Sequence, residues 1–231
     1  MYTDIFNTDK KYQVILADPN WDFKTYSAAG RDRNADQHYP TESLEWIKAL
    51  PVKKLADTRC ALFMWVTDTH LEQGFDVLKA WGFKYKTVGL YWAKLNKSAK
   101  KEAINSEKDF FMGMGYYGRA NPEQCLLGVN DPEFEVDQAL LATNNKAPTR
   151  VDAGVRKLIV DYRREHSRKP DETHLRIERL FGDVPRIELF ARQERKGWDC
   201  WGNEVNKFNE RSEEHTSELQ SRLHLVCRLL L

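Results

Sequence analysis

YQVILADPNWDF, residues 12–23, is the stretch on which the reading of this chain turns. Val14, Ile15 and Leu16 form a short apolar run rich in β-branched residues, the pattern of a buried strand. Asp18 and Pro19 end it. Proline cannot donate to a sheet ladder and biases the residue before it toward extended geometry, so the Asp18 carboxylate is expected at the carboxyl end of the strand. In open α/β sheets that edge is where ligands bind.

Working outward, four further apolar runs of strand length follow at residues 61–66, 88–93, 124–129 and 186–191. Helical patterns lie between them. Ser43 precedes LEWIKAL, with Leu44, Ile47 and Leu50 on one face, and residues 69–81 place Leu71, Phe75, Leu78 and Trp81 at helical spacing before Gly82 as a stop. SRKPDE puts Ser167 at a plausible cap and Pro170 in the first turn of a third helix, residues 170–180. Strands alternating with helices predict an α/β fold with a mostly parallel, doubly wound sheet. Three polar stretches interrupt the pattern, at 24–40, 96–120 and 131–149; two of them are expected at the same sheet edge as Asp18.

At 231 residues the chain suits one domain, and its 41% hydrophobic content supplies a core. No apolar run approaches the roughly 20 residues that span a bilayer, and the first residues lack the apolar core of a secretory signal. A soluble, cytoplasmic protein is the expectation. Cys60, Cys125, Cys200 and Cys227 show no CxxC pair and no nearby His at ligand spacing, so no metal site and no disulfide framework is expected. Net charge is +1, which announces no polyanion partner. Local clusters exist all the same: residues 150–169 carry seven basic side chains against three acids, and residues 94–101 carry four lysines. Either is a solvated surface or a phosphate-binding face.

The segment RSEEHTSELQSRLHLVCRLLL departs from everything before it. Its first eleven residues, 211–221, can be written codon for codon as a common sequencing-library adapter read in frame. A single domain is therefore expected at residues 1–210, with residues 211–231 a translated artefact.

The residues after the first strand make chemical sense together. An adenine amino nitrogen is a poor nucleophile because its lone pair is delocalised into the ring. A carboxylate and a backbone carbonyl, each accepting one N–H, hold the amine and let the lone pair localise as it attacks. Asp18 offers the first and Pro19 the second, while the Trp21 indole is a face on which a base can stack. A loop cap, a metal or nucleotide ligand at Asp18 and a core role for Trp21 fit the same four residues. No GxxxxGK[ST] loop is present and no GxGxxG follows an expected strand, which counts against P-loop enzymes and standard dinucleotide dehydrogenases.

Across the chain, ADPNWDF, HYPTES, LFMWVTD, WGFKYKTVGLYWAKLNK, FMGMGYYGRANPEQCLLGV, REHSRKPDE, RIERL, IELFAR and GWDCWGNE occur in an order that closely resembles the bacterial and phage branch of the DPPW-signature (MT-A) adenine N6-methyltransferases. That family also contains the catalytic subunit of the eukaryotic messenger-RNA adenine methyltransferase. The resemblance covers residues 12–205. It implies transfer of a methyl group from S-adenosyl-L-methionine to a flipped-out adenine, in DNA by preference and RNA as the alternative, on a Rossmann-like sheet in permuted order, with the catalytic strand first and the cofactor strand late.

By position, the resemblance makes Asp18, Pro19, Asn20 and Trp21 the catalytic signature. It puts Tyr39 on a loop closing over the adenine and Trp65 in the pocket. Arg164, Arg168 and Lys169 stand at a helix start, where backbone N–H groups also point outward, and either cap that helix or contact substrate phosphates. Cofactor contacts fall to Glu188, Phe190 and Arg192, and the ribose hydroxyls to Asn203 and Glu204. One departure stands out. The signature normally reads Asp-Pro-Pro-aromatic, and Asn20 replaces the second proline, which frees a torsion and predicts a less pre-organised loop. The enzyme reading stands because Asp18, the Pro19 carbonyl and Trp21 survive; a catalytically silent, nucleic-acid-binding homologue is the alternative, and Asn20 is its only support in the sequence.

Overall fold

The computed structural model describes residues 1–21, 42–130, 148–165 and 168–208. Seven strands form one sheet: β1 (Tyr12–Ala17), β2 (Ala56–Val66), β3 (Phe83–Leu95), β4 (Glu123–Asn130), β5 (Leu158–Tyr162), β6 (Arg186–Leu189) and β7 (Asp199–Trp201), in the order β5-β3-β4-β2-β1-β6-β7. β1 pairs in parallel with β2 and β6, β6 with β7, and β3 with β5. β4 runs antiparallel to both of its neighbours, β2 and β3. The 27-residue connection from β3 to β4 contains only a single 3-10 turn and no α-helix to carry a crossover, so β4 returns antiparallel.

Five of these strands are the expected apolar runs. β5 and β7 are additions: LIVDY is short and set among basic residues, and DCW is three residues long. Both sit at the sheet edges, where one neighbour suffices.

Helices cover both faces, which makes the sheet doubly wound. On one side lie α1 (Leu44–Ala49), α2 (Val52–Leu55) and α3 (Leu71–Ala80), packing Ile47, Leu55, Val77 and Leu78 on Ile15, Leu62, Met64 and Ile187. On the other lies α4 (Glu172–Phe181), packing Ile177 and Phe181 on Val14, Leu16, Ala61 and Phe63. Ser43 caps α1 as expected, its hydroxyl accepting from the Trp46 N–H at 3.2 Å. α4 starts with Asp171 at its cap position, and Ser167 lies outside the described residues.

α3 corrects one expectation. Its core stripe is Gly74, Val77, Leu78 and Trp81, while Phe75 is 40% exposed and meets Tyr85 edge-on instead. Gly74 carries the difference: a Cβ there would already crowd Val66 and Leu126 at 3.2 and 3.3 Å, so the helix rides close to the sheet on its smallest residue. Gly82 follows at φ +81°, the expected stop. Among the described residues no helix is long and apolar enough to cross a membrane.

Trp81 ties these layers together. It is fully buried, and its indole N–H donates to the Ile47 carbonyl at 2.9 Å, joining the end of α3 to α1. Trp81→Ala is expected to cost about 3–5 kcal/mol in urea unfolding, and Trp81→Phe, which keeps most of the ring but loses the donor, about 1–2 kcal/mol. Equal losses in the two variants would show that the indole hydrogen bond adds nothing beyond ring volume.

Candidate active site

Strand alternation places the site. Val14 and Leu16, Ala61, Phe63 and Trp65, Cys125, and Leu90 and Trp92 all point to the α4 side of the sheet. Continuing each strand in steps of two brings Asp18, Glu123 and Lys94 onto that same face. The register then sets them side by side, because Ala17 is level with Met64, Trp65 with Cys125, and Trp92 with Glu123. β4 runs the other way, so its first residue, Glu123, reaches the edge where β1, β2 and β3 end.

Lys169, in the turn leading to α4, is laid over this row. Its ammonium donates to both Asp18 carboxylate oxygens at 2.7 and 2.8 Å and lies 3.4 Å from Glu123 Oε2. It also sits 5.7 Å from the centre of the Trp65 ring. Lys94 pairs with the other Glu123 oxygen and lies over Trp92. Two carboxylates and two ammonium groups thus alternate along the sheet edge, with side-chain exposures of only 13–24%.

Burial pushes the Asp18 carboxyl above its ordinary range, with Lys169 opposing the rise, Glu123 adding to it and Arg192 opposing it. Burial acts on Glu123 in the same sense, but Lys169 and Lys94 outweigh it and hold that carboxyl low. Burial, with Asp18 adding to the effect, pushes the nearby Cys125 thiol well above its ordinary value. It is an uncharged core group.

The rest of the signature is held by the backbone. The Pro19 carbonyl accepts the Trp21 N–H at 2.9 Å, leaving its second lone pair, and the Asn20 carbonyl accepts the Glu42 N–H at 3.2 Å. Trp21 is buried, stacked on His70 with ring centres 5.6 Å apart, and its indole N–H donates to the Trp65 carbonyl at 3.2 Å. Trp65 is 1% exposed and its own Nε1 is buried with no partner among the described residues. Tyr39 lies outside the described residues.

The cationic residues expected on phosphate sit in ion pairs here. Arg164 pairs with Asp171 and lies 3.8 Å from Asp161; Arg168 bonds Gln193 at 3.2 Å and covers the Phe208 ring at 4.7 Å. Burial would raise Asp171, but Arg195 and Arg164 hold its carboxyl below the usual range. Lys169 is drawn into the carboxylate row itself.

The late strand supplies a second group beside the first. Phe190 follows β6 at φ +61°, a conformation non-glycine residues adopt at a cost and that collects at functional sites. Its ring meets Trp201 and Trp46 edge-on, at 5.5 and 6.5 Å. Gly202 passes so close behind it that a Cβ would fall 2.5 Å from the Ala191 carbonyl oxygen. Arg192 pairs with Glu204 at 3.3 Å, and Asn203 is exposed beside it. Glu188 is level with Leu16 and turns beneath α4, where its carboxylate meets His174 Nε2 at 2.8 Å.

Glu123 and His174 are absent from the expectations above. Glu123 was within reach: an acid immediately before an apolar strand, NPEQCLLGV, reaches the same edge as an acid immediately after one whenever the two strands run in opposite directions.

A doubly wound sheet with an acid-bearing loop after the interior strand β1 and a strained aromatic after its neighbour β6 defines a Rossmann-like methyltransferase domain. The chain belongs to the MT-A70 family, whose model matches residues 12–204. It is 32% identical to the type II methyltransferase M.MunI of a Mycoplasma species over 85% of this chain and 78% of that protein. It is 28% identical to the human N(6)-adenosine-methyltransferase catalytic subunit METTL3, over 85% of this chain and 28% of that protein, and 27% identical to the mouse N(6)-adenine-specific methyltransferase METTL4, over 88% and 40%. The chain thus spans most of the Mycoplasma protein and less than half of each mammalian one.

Replacing Lys169 exposes what it holds. Without it two carboxylates share a half-buried edge, both carboxyl pKa values rise above their unfolded values, and stability is lost at pH values above them. Lys169→Met is expected to lose about 3 kcal/mol near neutral pH, the low end for a broken buried pair because each carboxylate keeps some solvent contact. The loss shrinks as acid protonates Asp18. Urea melts at neutral and acid pH measure it, and a loss that does not change with pH would contradict the arrangement.

Proposed function

We propose that this protein is a cytoplasmic, S-adenosylmethionine-dependent methyltransferase that modifies the N6 amine of adenine in DNA. The observation that carries the reading is the Asp18 carboxylate, fixed by Lys169 at the carboxyl end of β1, beside a carbonyl with a spare lone pair. Membership of the MT-A70 family and the similarity to M.MunI support the reaction and the choice of DNA.

The donor set after β6 fits a nucleoside cofactor. Phe190 offers a half-buried aromatic ring, while the Glu204 carboxylate and the Asn203 amide have the acceptor and donor capacity for a vicinal diol. Arg192, paired with Glu204, also lowers Asp18, which links this group to the carboxylate row. When bound, S-adenosylmethionine supplies a methyl group already activated on a sulfonium centre.

The chain's own task is to position the adenine amine. An Asp18 oxygen accepts one N–H and the Pro19 carbonyl the other, which localises the nitrogen lone pair in line for transfer. Lys169 opposes the burial that favours the neutral form of Asp18. Once the nitrogen carries its new substituent it must shed a proton, and a carboxyl whose pKa is raised is suited to receive it. Trp21 fixes this loop from beneath through the Trp65 carbonyl, and Trp65, 1% exposed, supports it from the core. Extruding the base from a duplex costs a few kcal/mol, drawn from contacts elsewhere on the nucleic acid.

Asp18→Ala is expected to lower kcat by about 10²–10³-fold or more while S-adenosylmethionine still binds. The assay incubates labelled cofactor with matched DNA and RNA oligonucleotides and digests them to nucleosides. Label in N6-methyladenine from DNA, lost in the variant, is the expected result; label in the RNA alone would move the substrate to RNA, and full activity in the variant would remove Asp18 from the mechanism.

A further inference from the structure

Residues 96–122 leave the end of β3 and return to the start of β4, so both ends of this segment sit at the edge that holds Asp18 and Glu123. Its run FMGMGYYGRA takes no part in the chemistry described above. The run folds back on itself: the Gly113 N–H donates to the Ala120 carbonyl at 2.7 Å. A Cβ on Gly115 would fall 2.4 Å from the Gly118 carbonyl oxygen, so the crossing admits only glycine.

At the tip, Tyr117 holds a left-handed backbone at φ +59° with its side chain fully in solvent. Tyr116 is 65% exposed, and Met112 and Met114 are 65% and 52% exposed. Strained backbone and solvated aromatic surface return nothing to the folded state, which points to a use outside it.

The base of the hairpin is firm. The Arg163 guanidinium lies 4.2 Å over the Phe111 ring, and the Asn121 side chain donates to the carbonyls of Lys94 and Phe111. Lys94 is the residue whose ammonium pairs with Glu123, so the hairpin is mounted directly on the carboxylate row. Along the same segment Lys97, Lys100, Lys108 and Arg119 are exposed and form no ion pair among the described residues.

We infer that the hairpin of residues 112–119 engages the nucleic acid, with Tyr116 and Tyr117 stacking on bases next to the target adenine and the unpaired cations holding the backbone. The inference rests on the proposed adenine methyltransferase activity and adds the element that grips the strand. Stacking on tyrosine tolerates any base, because every base has a π face, and the cations supply salt-dependent attraction to phosphate. Unpaired cations flanking exposed aromatic rings match that partner better than an apolar protein surface. Extruding a base opens a gap in the stack, and an aromatic wedge on a firm support can offset part of that loss.

The test compares wild type with Tyr116→Ala/Tyr117→Ala and with Tyr116→Phe/Tyr117→Phe, measuring binding of an adenine-containing DNA duplex by fluorescence anisotropy. Stacking of this kind predicts a loss of about 10–100-fold in DNA affinity for the alanine pair, near-normal affinity for the phenylalanine pair, and unchanged S-adenosylmethionine binding and Tm in both. Wild-type affinity in the alanine pair would overturn the inference. So would a wild-type protein that sediments as a dimer and an alanine pair that sediments as a monomer, which would assign the hairpin to contacts between copies. Binding is read without turnover, so a wild-type protein that binds DNA but leaves adenine unmethylated counts against the proposed function, and the tyrosine comparison still decides this inference.

Discussion

The Lys169 ammonium, bonded to both oxygens of Asp18 and in contact with Glu123, is the interaction on which the rest of the site depends. It closes a loop of chain 151 residues long, drawing the segment before α4 onto the ends of β1 and β4. Burying two carboxylates side by side is unfavourable for both, and a cation between them is what lets the edge remain charged. Lys94 completes the alternation from β3. The result is an edge on which two carboxylates are matched by two ammonium groups.

That balance explains the arrangement around it. Trp65 and Trp92 lie beneath the ammonium groups and keep water from beneath the row, and Trp21 packs under the signature loop with His70 against its face. The second group, around Phe190, is built from strain and close approach: a left-handed aromatic residue, a glycine pressed against the Ala191 backbone, and an Arg192–Glu204 pair. Arg192 is near enough to Asp18 to bias its ionisation, so the two groups work as neighbours.

Much of this was legible in the sequence, because strand and helix periodicities are local. VILADP announced a strand ending in an acid, the cap at Ser43 and the stop at Gly82 fell where expected, and the ordered blocks identified the family. Less legible were properties set by pairing. LIVDY and DCW are too short and too polar in context to declare themselves as strands, and the direction of β4 depends on a connection that lacks a helix. Lys169 and Arg164 read as phosphate contacts because sequence shows charge without showing partners; the acids that claim them, Asp18 and Asp171, are 151 and seven residues away. Trp21 read as a stacking face, and the structure buries it.

The central claim is that Lys169 holds Asp18 ionised so that Asp18 can accept from the adenine amine. It is tested most directly by the pH dependence of methyl transfer to DNA, measured as kcat/KM in the wild type and in Lys169→Met. Removing a cation that lowers the Asp18 pKa leaves burial opposed only by the weaker effect of Arg192, so the acidic limb of the variant's profile is predicted to move to higher pH. Two profiles that superimpose after scaling for amplitude would contradict the account.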